Sequence, residues 1–194
     1  MLIGVLALQG AFREHKQMLE KCGCEVVEVR KNIHLEKLDG LIIPGGESTT
    51  IGKLLEDWDL FQPIKERGLN GMPIFGTCAG MIILAKNIVD SDQKRLGLMD
   101  VEVVRNAYGR QVDSFEADLE ISVLGEKPFR GIFIRAPYIK SVEPQVGIMA
   151  EHDGKIVMVR QGNFLSCAFH PELTDDDRVH RYFLQMVNDA KNYN

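Results

Sequence analysis

The sequence predicts an α/β fold with a mainly parallel central sheet and antiparallel strands added in the second half. Residues 2 to about 90 alternate short apolar runs with helical patterns, as in a parallel sheet whose strands are buried on both faces. Beyond about residue 95, apolar residues recur at every second position between glycine turns, which indicates antiparallel strands. The 194 residues, 45% of them hydrophobic, are enough for one domain with its own core.

The first half divides into four strands and three helices. Apolar runs predict strands at 2–8, 25–29, 40–43 and 73–77. Helical spacing predicts helices at 11–22, 49–58 and 78–89, with Gly23 ending the first and Ser48 capping the second. The third helix begins directly at Cys78, so the chain passes from strand to helix at that residue.

The second half contains shorter segments of period two. These predict strands near 101–104, 117–123, 131–135, 155–160 and 164–170. The acidic run 175–177 favours the positive end of a last helix, which carries an apolar face of Val179, Phe183, Met186 and Val187. No linker, repeat or low-complexity tract interrupts the pattern, so one domain over 1–194 is expected.

Charge and cysteine content exclude some classes of function. The net charge of −5, without a basic run, does not suit a nucleic-acid partner. The apolar start, residues 1–10, lacks a basic n-region and is too short to span a bilayer, so it predicts a buried strand. The four cysteines are unevenly spaced, and reduced thiols in the cytoplasm are the expectation.

The run Gly76-Thr77-Cys78-Ala79-Gly80 indicates a nucleophile. A small-residue turn between a strand and a helix pushes its central side chain out at the carboxyl edge of the sheet, where α/β enzymes bind ligands. The helix N-terminus favours the thiolate form of a cysteine placed there. A buried cysteine beside a turn would give the same local pattern, so a second motif is needed.

That second motif is Phe169-His170-Pro171-Glu172. Residues two apart on an extended segment face the same way, and Pro171 disfavours helix at His170, so Glu172 is placed to hold the imidazole. A cysteine nucleophile requires such a base and orienting group. The other histidines, His15, His34, His152 and His180, lack this neighbourhood and are interpreted as solvated or helix-face residues.

Acyl transfer also requires donors for the tetrahedral oxyanion. The backbone N–H of Ala79, which follows the nucleophile, is the first candidate. A second donor is expected from the loop 44–48 at the end of the third strand, because its glycines let the backbone approach a ligand.

Together these motifs resemble the class I (triad) glutamine amidotransferases. Further blocks are similar to the family of glutaminase subunits of pyridoxal 5'-phosphate synthase, and they lie at 8–10, 44–50, 75–80, 105–106, 109–116, 134–137 and 169–172. The cysteine and His-Pro-Glu blocks are common to the whole class. The narrower resemblance depends on GESTT at 46–50 and GRQVDSFE at 109–116.

The resemblance implies hydrolysis of L-glutamine to L-glutamate and ammonia, which passes to a separate synthase subunit that makes the cofactor from ribose 5-phosphate and glyceraldehyde 3-phosphate. It implies a flavodoxin-like three-layer fold, a glutamyl thioester on Cys78, and a triad completed by His170 and Glu172. It assigns the oxyanion hole to Gly46 and Ala79, and glutamine binding to Gly46, Glu47, Ser48, Arg105, Ile134 and Arg135. It implies no cofactor, no metal, and no nucleic-acid or membrane partner.

Three other functions fit part of the pattern. A glutaminase serving another acceptor, such as imidazole glycerol phosphate synthesis, would share the triad but not GRQVDSFE. A related cysteine hydrolase or stress protein would use a similar elbow, usually without the distant His-Pro-Glu. A flavodoxin-like binding module would leave Cys78 without a chemical role. Cys167 is expected in the core, and Cys22-x-Cys24 lacks a second ligand pair for a metal.

Overall fold

The computed structural model describes residues 1–105 and 114–192 of the chain. Within these ranges ten strands form one mixed sheet, and two form a separate antiparallel pair, β7 and β8. The strands are β1 (Leu2–Leu6), β2 (Glu25–Val29), β3 (Gly40–Ile43), β4 (Ile74–Thr77), β5 (Ala85–Ile88), β6 (Met99–Val104), β7 (Ser114–Leu119), β8 (Phe129–Ile134), β9 (Tyr138–Val142), β10 (Gly147–His152), β11 (Lys155–Gln161) and β12 (Phe164–Cys167).

Five α-helices are described: α1 (Phe12–Lys21), α2 (Ser48–Asp57), α3 (Phe61–Leu69), α4 (Ala79–Leu84) and α5 (Arg178–Asn192). The last of them carries a buried stripe that includes Val179, Phe183, Met186 and Val187. This stripe packs against the sheet because its residues recur at helical spacing, while the opposite face of α5 stays polar. None of the helices in these ranges is both long and apolar enough to cross a bilayer.

The sheet contains a block of parallel strands, and the order of its strands determines which strand ends lie together. Its strands run β2-β1-β3-β4-β12-β11-β9-β6-β5, with β10 paired to β11. Strands β1, β2, β3, β4 and β12 are parallel to their neighbours in this block, whereas β11 joins β12 antiparallel. The carboxyl ends of β3, β4 and β12 therefore meet at one edge, and the residues that follow each strand face a common space.

The α/β prediction, with a mainly parallel sheet and antiparallel additions, is confirmed. The strands predicted at 25–29 and 40–43 have the observed bounds, and Gly23 ends α1 with a positive φ of 82°. Helix α3 and strands β9 and β10 were not predicted. The strand predicted at 164–170 ends at Cys167, and that at 117–123 begins at Ser114 and ends at Leu119.

Two predictions about helix ends are wrong. The helix predicted over 78–89 covers only Ala79–Leu84, because Ala85–Ile88 leaves it to pair with β6 in the sheet. Helix α2 is capped by Glu47 and not by Ser48: the Glu47 carboxylate accepts from the backbone N–H of Thr50 at 2.8 Å, and Ser48 is already helical. A carboxylate at this position suits the helix N-terminus as well as a hydroxyl does.

His15 and His180 were interpreted as solvated or helix-face residues. Both lie on helices, but neither is solvated. Both imidazoles are fully buried, at 0% exposure, where α1 and α5 pack on the sheet. Cys167 is buried as expected.

Candidate active site

Cys78 lies at the junction between β4 and α4 in a strained backbone conformation. Its φ is 49°, which is rare for a residue with a side chain, and its N–H donates to the Cys167 carbonyl of β12 at 2.8 Å. Such an outlier, held in place by its surroundings, is typical of a nucleophile at a strand-to-helix turn. The side chain is 7% exposed, and its Sγ lies 3.9 Å from the carbonyl oxygen of Ile134.

The glycines near Cys78, Gly76 and Gly80, allow the backbone of neighbouring segments to pack closely. Neither Gly76 nor Gly80 has a positive φ. A methyl group at Gly80 would overlap the Ile43 carbonyl of β3, and one at Gly76 would lie 2.6 Å from the Gly80 carbonyl carbon. The strain is therefore concentrated on Cys78, while the glycines allow α4 to sit directly against β3 and β4.

His170 and Glu172 form a buried pair at the end of β12. The His170 Nδ1 lies 2.7 Å from Glu172 Oε1, and the His170 backbone N–H donates to the Ile132 carbonyl at 2.8 Å. Burial lowers the pKa of His170, but hydrogen bonds with Cys78 and Glu172 outweigh it and raise this pKa to about 10. Burial raises the pKa of Glu172, yet the neighbouring His15 and His170 bring it below its ordinary value. The pair is arranged to keep a proton on the imidazole.

Cys78 and His170 meet on either side of Gly45, in the loop after β3. A methyl group at Gly45 would overlap His170 Cε1 and lie 3.3 Å from Cys78 Cβ. Only glycine leaves the thiol and the imidazole free to approach each other there.

A cavity of about 290 Å³ opens beside this pair. All but one of the predicted site residues line it, namely Gly46, Glu47, Ser48, Cys78, Ala79, Arg105, Ile134, Arg135 and His170. Glu172 lies behind His170, away from the cavity wall. The structure thus brings together residues from the loops after β3, β4, β6, β8 and β12.

Glu47 and Ser48, which line the cavity, have hydrogen-bond partners of their own. Three donors converge on Glu47 Oε2: the Thr50 N–H, the Thr50 hydroxyl and the Thr49 hydroxyl. Desolvation alone would raise the pKa of Glu47, but these hydrogen bonds lower it to about 2, so the carboxylate is charged. The Ser48 hydroxyl donates to Gln93 Oε1 at 3.1 Å, and the same oxygen accepts from Arg105 Nη1.

Two cationic side chains line the cavity, Arg105 after β6 and Arg135 after β8. Arg135 is exposed and has a φ of 43°, the same unusual region as Cys78. Arg105 is half-buried and fixed through Gln93. A guanidinium is well suited to a planar carboxylate, and Glu47 adds a negative charge to the lining of the same cavity.

Several residues of the site were not predicted. Gln9, Ile82 and Pro137 line the cavity, and Gly45 lies against both His170 and Cys78. Thr77 and the buried His15 lie behind Glu172. The signal for His15 was its place in the apolar stripe of α1 beside Met18 and Leu19, since a histidine in such a stripe is buried.

Parts of the predicted blocks fall outside the described residues. These are Asn106 and the stretch 109–113 of GRQVDSFE. In the described part of the chain, no group of three or more histidine, cysteine, aspartate or glutamate side chains is arranged to hold a metal ion. Cys22 and Cys24 are free and half-buried, and Cys78 and Cys167 are free and buried.

Comparison with known proteins gives matches along nearly the whole chain. A relative from Moorella thermoacetica, named pyridoxal 5'-phosphate synthase subunit PdxT, is 62% identical over 96% of this chain and 100% of its own length. The protein of that name from Carboxydothermus hydrogenoformans is 61% identical over 96% of this chain and 98% of its own. A crystal structure of a glutamine amidotransferase superposes with a TM-score of 0.91 at 52% identity, covering 96% of this chain and 98% of that one.

More distant structures share the fold alone. The PurLQS structure from Thermotoga maritima matches with a TM-score of 0.67 at 18% identity, covering 95% of this chain and 97% of that one.

The sequence model of the SNO glutamine amidotransferase family matches residues 5–189. With this match and relatives above 60% identity, the chain belongs to the SNO glutamine amidotransferase family.

Proposed function

We propose that this chain is the glutaminase subunit of a pyridoxal 5'-phosphate synthase, and that it hydrolyses L-glutamine to L-glutamate and ammonia. The observation that carries the proposal is the convergence of Cys78, His170 and Glu172 beside a cavity with cationic and anionic walls. The relatives named as subunits of that synthase, at 61% and 62% identity, support the narrower assignment. The whole chain, 1–194, is one glutaminase domain.

Cys78 is the nucleophile in this proposal. Its sulfur attacks the carboxamide carbon of glutamine and forms a tetrahedral intermediate. His170 holds the proton and gives it to the leaving nitrogen, so that ammonia departs and a glutamyl thioester remains. Water then attacks the thioester with His170 as general base, and glutamate leaves as the thiol is restored.

Glu172 has the orienting role. It accepts from Nδ1 of His170 at 2.7 Å, which leaves Nε2 for the thiol and the leaving group. The pKa of His170 near 10 agrees with an imidazole that retains its proton until the tetrahedral intermediate breaks down.

The oxyanion hole is assigned to the backbone N–H groups of Gly46, in the loop after β3, and Ala79, at the start of α4, and both residues border the cavity. Glutamine binds along Gly46, Glu47, Ser48, Arg105, Ile134 and Arg135. The charged Glu47 carboxylate takes the substrate ammonium, and the guanidinium groups take its carboxylate. Recognition of both charges selects a free amino acid over a glutamine within a peptide.

Ammonia passes to the synthase subunit, so the working form is a hetero-oligomer. The free thiols of all four cysteines agree with a reducing compartment, and we place the protein in the cytoplasm.

The test is glutamate formation from L-glutamine, measured with and without the synthase subunit, for the wild type and Cys78→Ala. We expect activity that rises with the synthase and is abolished by the substitution. A wild type that forms no glutamate in the complex would overturn the proposal, and so would a Cys78→Ala protein that retains the wild-type rate.

A further inference from the structure

A buried chain of polar groups stands behind the proposed triad. His15 of α1 and His180 of α5 are both fully buried, and His15 Nδ1 lies 2.9 Å from His180 Nε2. On its other side, His15 Nε2 lies 3.0 Å from Thr77 Oγ1 and 3.4 Å from Glu172 Oε2. Two imidazoles in an apolar core are destabilising unless their hydrogen bonds are made, so these contacts decide their orientation.

The contacts also determine where the protons lie. Burial lowers the pKa of both His15 and His180, so each imidazole is neutral and carries one proton. An ionised carboxylate only accepts, so the His15 nitrogen that faces Glu172 is the protonated one. His15 Nδ1 is then an acceptor, and His180 Nε2 donates to it.

The surroundings of His180 Nδ1 support this placement of the protons. His180 Nδ1 is buried and has no hydrogen-bond partner among the residues that the structure describes. With the protons placed as above, that atom is a bare acceptor. The opposite arrangement would bury an unpaired N–H there and turn a lone pair of His15 toward the carboxylate, which costs more free energy.

We propose that His15 is a positioning residue of the triad, which holds Glu172 through Oε2 while Oε1 holds His170, and that His180 fixes the tautomer of His15. The inference rests on the proposed function, since it assigns a partner to the orienting carboxylate of that reaction. Glu172 Oε2 has no aligned hydrogen bond within the described part of the chain, and His15 Nε2 is the donor that faces it.

Loss of His15 removes the N–H that lies 3.4 Å from a buried carboxylate oxygen, which has no aligned hydrogen bond within the described residues. Glu172 then rotates or takes up a proton, and in either case it no longer holds Nδ1 of His170 in the productive tautomer. Thr77 links the same network to the site, because its hydroxyl accepts from the Gly45 N–H at 3.0 Å.

The experiment is a double-mutant cycle on kcat, carried out in the complex with the synthase subunit. His15→Leu is expected to lower kcat about 10- to 100-fold, because it removes the polar N–H that faces the charged Glu172 at 3.4 Å, with KM changed less than about twofold. His15→Gln retains an N–H near the position of Nε2 and should restore part of the rate. In a Glu172→Gln background, His15→Leu should have little further effect on kcat.

His34→Leu is the matched control, since His34 is a half-exposed histidine whose ring contacts the Glu28 carbonyl away from the site. It should leave kcat unchanged. If His15→Leu does not fold by circular dichroism, His180→Leu is compared with His15→Gln in the same cycle, and coupling through Glu172 is again expected.

A folded His15→Leu protein with the wild-type kcat would overturn the inference. Effects of His15→Leu and Glu172→Gln that simply multiply would overturn it as well, because a structural role lowers the rate independently of Glu172. Neither result affects the proposed function, which is tested separately by glutamate formation in the wild type and in Cys78→Ala.

Discussion

At the scale of single residues, the approach of Cys78 to His170 depends on a missing side chain. Gly45 lies against both of them, and a Cβ at this position would meet the imidazole before any other group. The φ of Gly45 is not in the left-handed region, so the requirement is steric. A substitution here acts on the geometry of the site and leaves the backbone unstrained.

Gly45→Ala is therefore expected to lower kcat about 100-fold, because a displacement of about 1 Å between reacting groups has an effect of that size. The measurement is glutamate formation in the complex, with thermal unfolding as a check on folding. Gly147→Ala in β10 is the matched control, since its added methyl would meet nothing closer than the Arg160 carbonyl at 3.6 Å. Equal rates for the two variants would contradict the steric argument.

Glu172→Gln is expected to leave glutamine binding nearly intact and to lower kcat about 10²- to 10⁴-fold, because an amide does not enforce the tautomer that the carboxylate selects. Steady-state kinetics over a range of glutamine concentrations separate the two parameters. An unchanged kcat would remove Glu172 from the triad.

The sequence predicts Cys78, His170 and Glu172 because each stands in a local motif whose spacing has a chemical meaning. It does not predict that His15 and His180 contact each other, since 165 residues separate them. Only the packing of α1 against α5 brings them together, and no local pattern contains that information.

At the scale of elements, helix α2 begins beside the cavity, and its cap is part of the cavity wall. Glu47 accepts from Thr50 and Thr49, so the same carboxylate that is proposed to bind substrate also stabilises the helix N-terminus. Binding and local stability are therefore coupled at this residue.

Glu47→Ala is expected to reduce the free energy of unfolding by about 1 kcal/mol at neutral pH, the usual effect of losing a cap. Because hydrogen bonds lower the pKa of Glu47 to about 2, the folded state binds fewer protons there than the unfolded state, whose pKa is near 4.5. The stabilisation is complete above pH 4.5 and is lost as the pH falls toward 2. The difference in the free energy of unfolding between wild type and variant should therefore become smaller in that pH range.

Urea unfolding at several pH values measures this difference. Glu66→Ala, at an exposed glutamate within α3, is the control and should change stability by less than about 0.5 kcal/mol. A Glu47→Ala protein as stable as this control would show that the cap contributes nothing.

The elements that the sequence mispredicts lie where tertiary contacts override local preference. Residues 85–88 continue an apolar helical pattern, yet they leave α4 because β6 offers a strand to pair with. Strands β9 and β10 carry polar and exposed residues that weaken the alternating signal, and they are defined by pairing with β6 and β11. Buried parallel strands such as β3 are easier to predict because both faces are apolar.

At the scale of the whole molecule, the order of strands in the sheet places the loops after β3, β4 and β12 around one cavity. The same packing encloses two neutral histidines between α1, α5 and the sheet. The stability of the folded state is therefore expected to depend on pH, apart from any effect of pH on the reaction at Cys78.

Stability is expected to fall as the pH drops below the ordinary histidine value of 6.5, because burial lowers the pKa of His15 and His180 and the unfolded chain binds protons that the folded chain does not. Each group contributes up to about 1.4 kcal/mol per pH unit within its window. Urea unfolding of the wild type and His180→Leu at about pH 7.5 and about pH 5.5 tests this. The variant should lose less stability on acidification, and an equal loss would contradict the assignment.

The central claim is that Cys78 is the nucleophile of a glutaminase, and covalent labelling tests it most directly. The complex is treated with a glutamine analogue that carries a diazoketone in place of the carboxamide, and the labelled peptide is identified by mass spectrometry. We predict one label, on Cys78, that excess L-glutamine prevents, with Cys22 and Cys24 unlabelled as internal comparisons. Labelling at another residue, or none in a complex that hydrolyses glutamine, would contradict the account.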